Sequence, residues 1–257
     1  MQNRGDSLKE RHFERPVAMP NRIFADMRQW LQEGELKSPQ HQEFIYGFYW
    51  LIAYLWGFAK YGEYDYIISD IKGLLGYNPN EKRINYIIKQ DGLLDRKRYT
   101  DTVDDFPVLW SLKDGELSHT MLSDYDEVDQ QIVNKFKSQK PFVKSPLLSL
   151  GEDRDGLYWN ADNSHIIRGD VFTLCMENKE LRCAGLYLYG MLQMMSDKNL
   201  HFNKSEEFQC ANKTLVELTG WGITKVKKIV NELCEVGLIS KEQKLQKKGE
   251  VNWYMLS

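Results

Sequence analysis

Lysine residues are concentrated near the C-terminal end of the chain, where their ammonium groups could bind phosphate. Residues 213–249 contain eight lysines and four glutamates, a local charge of +4 in a chain whose formal net charge is −3. Within this segment apolar residues recur at intervals of three, four and seven, which predicts an amphipathic helix with one buried face. Those apolar residues are Val226, Ile229, Val230 and Leu233. The side chains expected to face solvent or a ligand are Lys225, Lys227, Lys228 and Asn231.

Motifs of the common enzyme classes are absent from the sequence. It contains no G-x-x-x-x-G-K-S/T phosphate loop, no G-x-G-x-x-G after a strand, no H-E-x-x-H and no G-x-S-x-G. The five histidines include no pair at i, i+3 or i+4 spacing. We therefore expect no enzyme activity, no catalytic residues, no cofactor and no metal. A nuclease site assembled from distant carboxylates is the alternative that a sequence does not reveal.

An acidic segment precedes a basic one in the middle of the chain. Residues 99–130 carry nine acidic side chains and one lysine, and residues 131–150 are basic and contain two prolines. The cluster Asp124, Asp126, Glu127 and Asp129 lacks the spacing and the glycine of a calcium loop, which favours a solvated linker over a metal site. We expect residues 111–160 to form a connector between two domains, with some local structure of its own.

Cysteine usage and hydropathy indicate a cytoplasmic protein. The four cysteines include no C-x-x-C pair, which is typical of free thiols in a reducing compartment. The apolar run Phe48–Ala59 is too short to span a bilayer. It belongs to an aromatic segment, predicted to run as a helix from Ser38-Pro39-Gln40 to Lys60, that is apolar on nearly every face. We expect that helix to pack in the core, and it could also form a homodimer or inter-repeat interface.

The residues around the lysine-rich helix predict a definite order of elements. A short helix ends at Leu218, and Thr219-Gly220-Trp221-Gly222 forms a turn, since glycine reaches the positive φ that a tight corner needs. Thr224 is predicted to cap the second helix, and Gly237 is predicted to end it. The remaining residues, SKEQKLQKKGEVNWYML, predict a strand, a basic tip and a second strand.

This order of elements resembles the winged helix-turn-helix superfamily. The resemblance implies that the second helix enters the major groove of DNA, which is about 12 Å wide and admits one helix. Its groove-facing residues would be Thr224, Lys225, Lys227, Lys228 and Asn231, and the wing would carry Lys244, Lys247 and Lys248. A lysine-rich outer face is also what any solvated helix presents. The DNA hypothesis therefore depends on the glycine turn, the Gly-Leu-Ile sequence and the basic tip occurring together.

A weaker copy of the same pattern lies earlier in the chain, and its Gly76 aligns with Gly220. Its elements would be a helix at Ile67–Leu75, a turn, a second helix at Asn80–Gln90, and a wing after Gly92-Leu93-Leu94. The candidate DNA contacts of this copy are Lys82, Arg83, Lys89, Arg96, Lys97 and Arg98. Its wing tip would be acidic and would repel phosphate, so this copy either turns those acids away from DNA or binds protein.

Together these patterns predict a mostly α-helical protein with small β-hairpin wings and tandem winged-helix domains. The expected organisation is a flexible arm at 1–20, a winged-helix-like domain at 21–110, the connector at 111–160, and a winged-helix domain at 161–257. The expected function is non-catalytic binding of double-stranded DNA in transcriptional regulation. The alternatives are replication initiation on a phage or plasmid, and an adaptor that docks a protein partner. A second copy of the chain is another candidate partner, whereas a membrane is not.

Overall fold

The computed structural model describes residues 13–61, 67–114, 116–124, 143–150, 156–157, 163–205, 207–246 and 249–257. They form mainly α-helices with small antiparallel sheets, as the sequence predicts. The helices are α1 (Arg22–Gln32), α2 (Gln40–Gly57), α3 (Ile68–Leu74), α4 (Asn85–Ile88), α5 (Leu93–Arg96), α6 (Gly169–Glu177), α7 (Arg182–Asn203), α8 (Asn212–Thr219) and α9 (Ile223–Glu235). Within the described ranges, no helix is long and apolar enough to cross a membrane.

The strands are short, apart from a long C-terminal hairpin. They are β1 (Val17–Pro20), β2 (Asp101–Thr102), β3 (Pro107–Lys113), β4 (Glu116–Met121), β5 (Lys144–Ser145), β6 (Gly156–Leu157), β7 (Ser164–Ile167), β8 (Phe208–Cys210), β9 (Ile239–Gln246) and β10 (Gly249–Leu256). Three antiparallel sheets have the strand orders β8-β10-β9, β3-β4-β6 and β2-β5.

The chain divides into two compact units that are not consecutive in sequence. The first unit contains residues 13–15, Asn21–Gly47 and the described part of Asn163–Ser257. The second unit contains Pro16–Pro20 and the described part of Phe48–Asp162. This division differs from the predicted domains at 21–110 and 161–257, because α1 and the start of α2 group with the C-terminal residues. The described residues of the predicted connector belong to the second unit.

Aromatic side chains fill the core of the first unit. Phe24 of α1 stacks on Tyr46 of α2 with ring centroids 5.3 Å apart, and Tyr187 of α7 lies 5.6 Å from the Trp221 ring. The amphipathic pattern of α1 predicts its buried face, which consists of Ile23, Phe24, Met27 and Trp30. Gly190 of α7 makes room for the Tyr46 hydroxyl, since a Cβ at that position would lie 1.9 Å from it.

A buried hydrogen-bond chain links α2, β7 and the start of α1 within the first unit. The Tyr46 hydroxyl donates to His165 Nε2 at 2.7 Å, and His165 Nδ1–H donates to Asn21 Oδ1 at 2.8 Å. The Asn21 amide nitrogen donates to the Ser164 carbonyl, which fixes the amide orientation and hence the imidazole tautomer. Burial lowers the pKa of His165 to about 3, with a smaller contribution from the charge of Lys198. The imidazole is therefore neutral.

The second unit is built on the aromatic part of α2. The Tyr49 hydroxyl is 2.8 Å from Ser149 Oγ, and the Tyr61 hydroxyl donates to the Lys144 carbonyl at 2.9 Å. The ammonium group of Lys144 is fully buried and lies 2.7 Å from Asp95 Oδ1. Because burial lowers the pKa of Lys144 while Asp95 opposes that shift, the pair has the character of a structural ion pair.

The prediction of a helix at Asn80–Gln90 is wrong, because only Asn85–Ile88 is helical in that range. Local hydrogen bonds replace the helical ones in the preceding turn: Asn78 Oδ1 accepts from the Asn80 amide at 2.9 Å. Glu81 Oε1 likewise accepts from the Arg83 amide, and Lys72 Nζ donates to the Glu81 carbonyl at 2.6 Å. Polar side chains that bind nearby backbone groups compete with helix formation in this way.

The prediction that a wing starts directly after Gly92-Leu93-Leu94 is also wrong. Leu93–Arg96 forms the short helix α5, and the chain leaves it through Arg98, whose φ is +59°. Asp101–Thr102 then pairs with Lys144–Ser145, and the next hairpin is β3–β4. The basic trio at 96–98 consequently lies on a helix end and a turn rather than on a wing.

Candidate nucleic-acid interface

The two helices at the C-terminal end of the first unit are joined by a tight glycine turn. After α8 ends at Thr219, Gly220 adopts φ +69°, and its amide donates to the Val216 carbonyl. The Thr219 hydroxyl donates to the Leu215 carbonyl and accepts from the Trp221 amide. Gly222, in extended conformation, is the N-cap of α9. The prediction that Thr224 caps this helix is wrong: α9 begins at Ile223, so Thr224 lies in its first turn with an exposed side chain.

Side chains from α2 and α7 hold this turn. Gln42 Nε2 donates to the Thr219 carbonyl at 3.1 Å, and the Tyr187 hydroxyl donates to Gln42 Oε1 at 3.2 Å. The Trp221 ring is buried against Tyr187. The turn thus has a satisfied carbonyl and an aromatic contact, both of which fix the direction in which α9 leaves it.

The inner face of α9 is apolar and buried. Its members are the residues that the sequence pattern predicts: Val226, Ile229, Val230 and Leu233. Since an α-helix repeats every 3.6 residues, burial of this face turns the positions between its members toward solvent.

Lys225 packs against the body of the unit. Its ammonium group forms an ion pair with Glu43 of α2 and lies 4.2 Å from the centre of the Trp221 ring. The Lys225 side chain is 33% exposed and the Glu43 side chain 8%. Burial raises the pKa of Glu43, and the positive charge of Lys225 opposes that shift. Lys225 therefore neutralises a buried carboxylate and helps to position α9.

Four polar residues form the outer stripe of α9. They are Thr224, Lys227, Lys228 and Asn231, all exposed and spaced at three, four and seven residues. Lys227 makes no hydrogen bond or ion pair with the described residues. Lys228 pairs with Glu180, but both side chains are about half exposed, and such surface pairs contribute little to stability. Lys241 of β9 donates to Asn231 Oδ1 at 3.2 Å and adds a third cation beside the stripe.

The hairpin that follows α9 is antiparallel from Ile239↔Leu256 to Gly249↔Gln246. Lys244 lies on β9 opposite Val251, while Lys247 and Lys248 lie outside the described residues. On the other side of β10, β8 pairs through Cys210↔Asn252 and Phe208↔Tyr254. The order of elements from α7 onward is thus helix, strand, helix, turn, helix and hairpin, with the three strands in one sheet.

The basic residues predicted for the N-terminal copy do not share a helix face. Lys82 and Arg83 lie in the turn before α4, and Arg83 pairs with Glu81 at 2.9 Å. Hydrogen bonds from Arg83 lower the pKa of Glu81 to about 2. Lys89 is the C-cap of α4, whereas Arg96, Lys97 and Arg98 lie at the end of α5 and in its turn.

Sequence patterns missed three residues of this region. Gln42 and Glu43 are followed by the aromatic run of α2, and nothing near them in sequence signals a contact with residues 219 and 225. Lys241 was counted in the basic segment, but strand alternation places it on the same face as the buried Ile239, so the pattern gave no signal that it is exposed.

No group of three or more His, Cys, Asp or Glu residues is placed to hold a metal ion in the described ranges. Three members of the acidic cluster, Asp126, Glu127 and Asp129, lie outside those ranges. No protein-family model, curated protein or solved structure matches the chain.

Proposed function

We propose that the C-terminal part of the first unit is a winged-helix module that binds double-stranded DNA without catalysis, with α9 entering the major groove. The observation that carries the proposal is the outer stripe of α9, four exposed polar residues on a helix whose opposite face is buried. The order from α7 to β10, with a three-stranded antiparallel sheet, supports the choice of a winged helix.

The chemistry of the outer stripe suits a nucleic acid. Lys227 and Lys228 supply charge for phosphate oxygens, and Asn231 and Thr224 supply donors and acceptors for base edges. The half-exposed Glu180 is a weak competitor for Lys228, so a phosphate group can replace it. Lys241 would stand beside the stripe as a further phosphate contact.

We limit the DNA-binding proposal to the first unit, although the sequence predicts tandem winged helices. The four-residue α4 is too short to follow a groove, and the basic residues near it belong to turns and helix ends. For the role of the module we retain transcriptional regulation, with replication initiation and protein docking as alternatives. Preferential binding to the duplex upstream of the protein's own reading frame, compared with random duplex, would support regulation.

A fluorescence anisotropy titration with duplex DNA tests the proposal. The double variant Lys227→Ala/Lys228→Ala removes two phosphate contacts, so we expect roughly tenfold weaker binding at low salt and a slope of log K against log salt that is smaller by about 1.8. Lys113→Ala, a change at an exposed lysine of β3, is the matched control and should behave as wild type. Equal affinity of the double variant and the control would contradict the proposal.

A further inference from the structure

Two large apolar side chains are exposed at the C-terminal end of α7. Phe202 is 77% exposed and Leu200 is 46% exposed. A phenylalanine has one of the largest apolar surfaces of any side chain, and burial of that surface in an interface is favourable. Exposed side chains of this size, when they adjoin other apolar surface, mark contact sites.

A cavity of about 640 Å³ lies beside Phe202, between the end of α7 and the sheet β8-β10-β9. Its apolar lining comes from Met195, Phe202, Phe208 and Trp253. Met255, two residues after Trp253 and therefore on the same face of β10, is also exposed. The exposed Phe202 and an apolar cavity thus adjoin on one face of the first unit.

We propose that this face is the interface of a homodimer, in which Phe202 of each copy enters the cavity of the other. A two-fold axis brings the same patch of both copies together, so a protruding residue that adjoins a cavity on one face is self-complementary. The cavity is large enough for a phenyl ring together with neighbouring side chains. The proposal goes beyond DNA binding and does not depend on it.

The charges at the rim of the cavity favour a second copy of the chain over a partner whose surface is entirely acidic or entirely basic. The rim carries one cation, Lys198, and one anion, Glu207. Neither forms an ion pair with the described residues. Two-fold symmetry can place Lys198 of one copy against Glu207 of the other, and the same pairing then occurs twice. A purely acidic partner would repel Glu207, and a purely basic partner would repel Lys198.

Sedimentation equilibrium of the full chain tests the proposal. Wild type is expected to show a reversible monomer–dimer equilibrium, and Phe202→Ser should raise its dissociation constant at least about tenfold, because truncation of a central aromatic anchor has effects of this size. Leu112→Ser is the matched control, since it removes a 57% exposed leucine of the second unit and should leave the equilibrium unchanged. Both changes are at exposed side chains, and circular dichroism will show that the variants are folded.

A charge-swap series tests the orientation of the two copies. Lys198→Glu and Glu207→Lys should each weaken the dimer, because each places like charges opposite one another, and the double variant should restore it. A wild-type chain that stays monomeric at all concentrations would overturn the proposal. The proposal would also be overturned if the Phe202→Ser dimer were as tight as wild type, or if the single charge swaps had no effect. A monomer with a small ligand bound, found by native mass spectrometry, would overturn it as well.

Discussion

Lys225 of α9 forms an ion pair with Glu43 of α2 across 182 positions of the sequence, and the Trp221 ring lies beneath the same ammonium group. One residue earlier in α2, Gln42 binds the carbonyl of Thr219. Adjacent residues of α2 thus hold both the turn and the start of α9. The helix that carries the outer stripe is therefore positioned by a segment from the N-terminal part of the chain.

Lys225→Ala should lower stability more than it lowers DNA affinity. The change leaves the buried Glu43 carboxylate without its cation, which we expect to cost about 1–3 kcal/mol of unfolding free energy. Urea denaturation measures this loss, and the salt slope of DNA binding should remain close to that of wild type. A variant with wild-type stability and a smaller salt slope would show that Lys225 contacts phosphate instead.

The Glu43→Gln change provides the control for that result. Because glutamine carries no charge, its burial without Lys225 is less costly, so Lys225→Ala should be less destabilising in a Glu43→Gln background. The coupling free energy from this double-mutant cycle should have the sign of an attraction. Additive effects of the two changes would contradict the ion pair.

The buried His165 should make the protein acid-sensitive. Its pKa is lowered from 6.5 to about 3 in the folded chain, so between these values the unfolded state binds the extra proton. Stability is therefore lost as the pH falls below 6.5, and about 2 kcal/mol of the loss between pH 7 and pH 5 should come from this residue.

Comparison with His165→Gln isolates this contribution. Glutamine can keep polar contacts with Tyr46 and Asn21 but does not titrate. Urea denaturation at pH 7 and pH 5 should show a loss of stability for wild type that is larger by about 2 kcal/mol than the loss for the variant. Equal losses for the two proteins would mean that His165 is protonated without penalty.

Gly190→Ala should destabilise the first unit. The added Cβ would overlap the Tyr46 hydroxyl, and relief of the overlap displaces a hydrogen bond to His165 as well as a packed ring. We expect a loss of about 1–3 kcal/mol, typical of an overpacked core. The melting temperature measures it. Gly73→Ala is the matched control, because its Cβ meets nothing closer than 4.0 Å and alanine favours the helix, so it should not lower the melting temperature.

The parts of the fold that sequence patterns predicted well have local causes. The buried faces of α1 and α9 follow from apolar spacing, and Gly220 and Gly237 adopt the positive φ expected of glycines that end helices. Long-range contacts escaped prediction because they have no local pattern. The pairing of Glu43 with Lys225 and of Tyr46 with His165 joins residues more than 100 positions apart.

The false helix at Asn80–Gln90 has a different origin. Ile84, Ile87 and Ile88 have the three- and four-residue spacing of a helix face and are buried, but burial of three residues does not require the preceding turn to be helical. Side-chain acceptors at Asn78 and Glu81 stabilise a non-helical backbone there. The apolar pattern was thus correct about burial and wrong about conformation.

The salt dependence of DNA binding by the wild-type chain tests the central proposal most directly. Anisotropy titrations of a labelled duplex, between about 50 and 200 mM salt, should give a linear fall of log K with log salt. Contacts by Lys227, Lys228 and Lys241 predict a slope of about −2.7 or steeper, since each phosphate neutralised contributes roughly −0.9. The absence of binding at the lowest salt, or an affinity that does not change with salt, would contradict the proposal that α9 binds DNA.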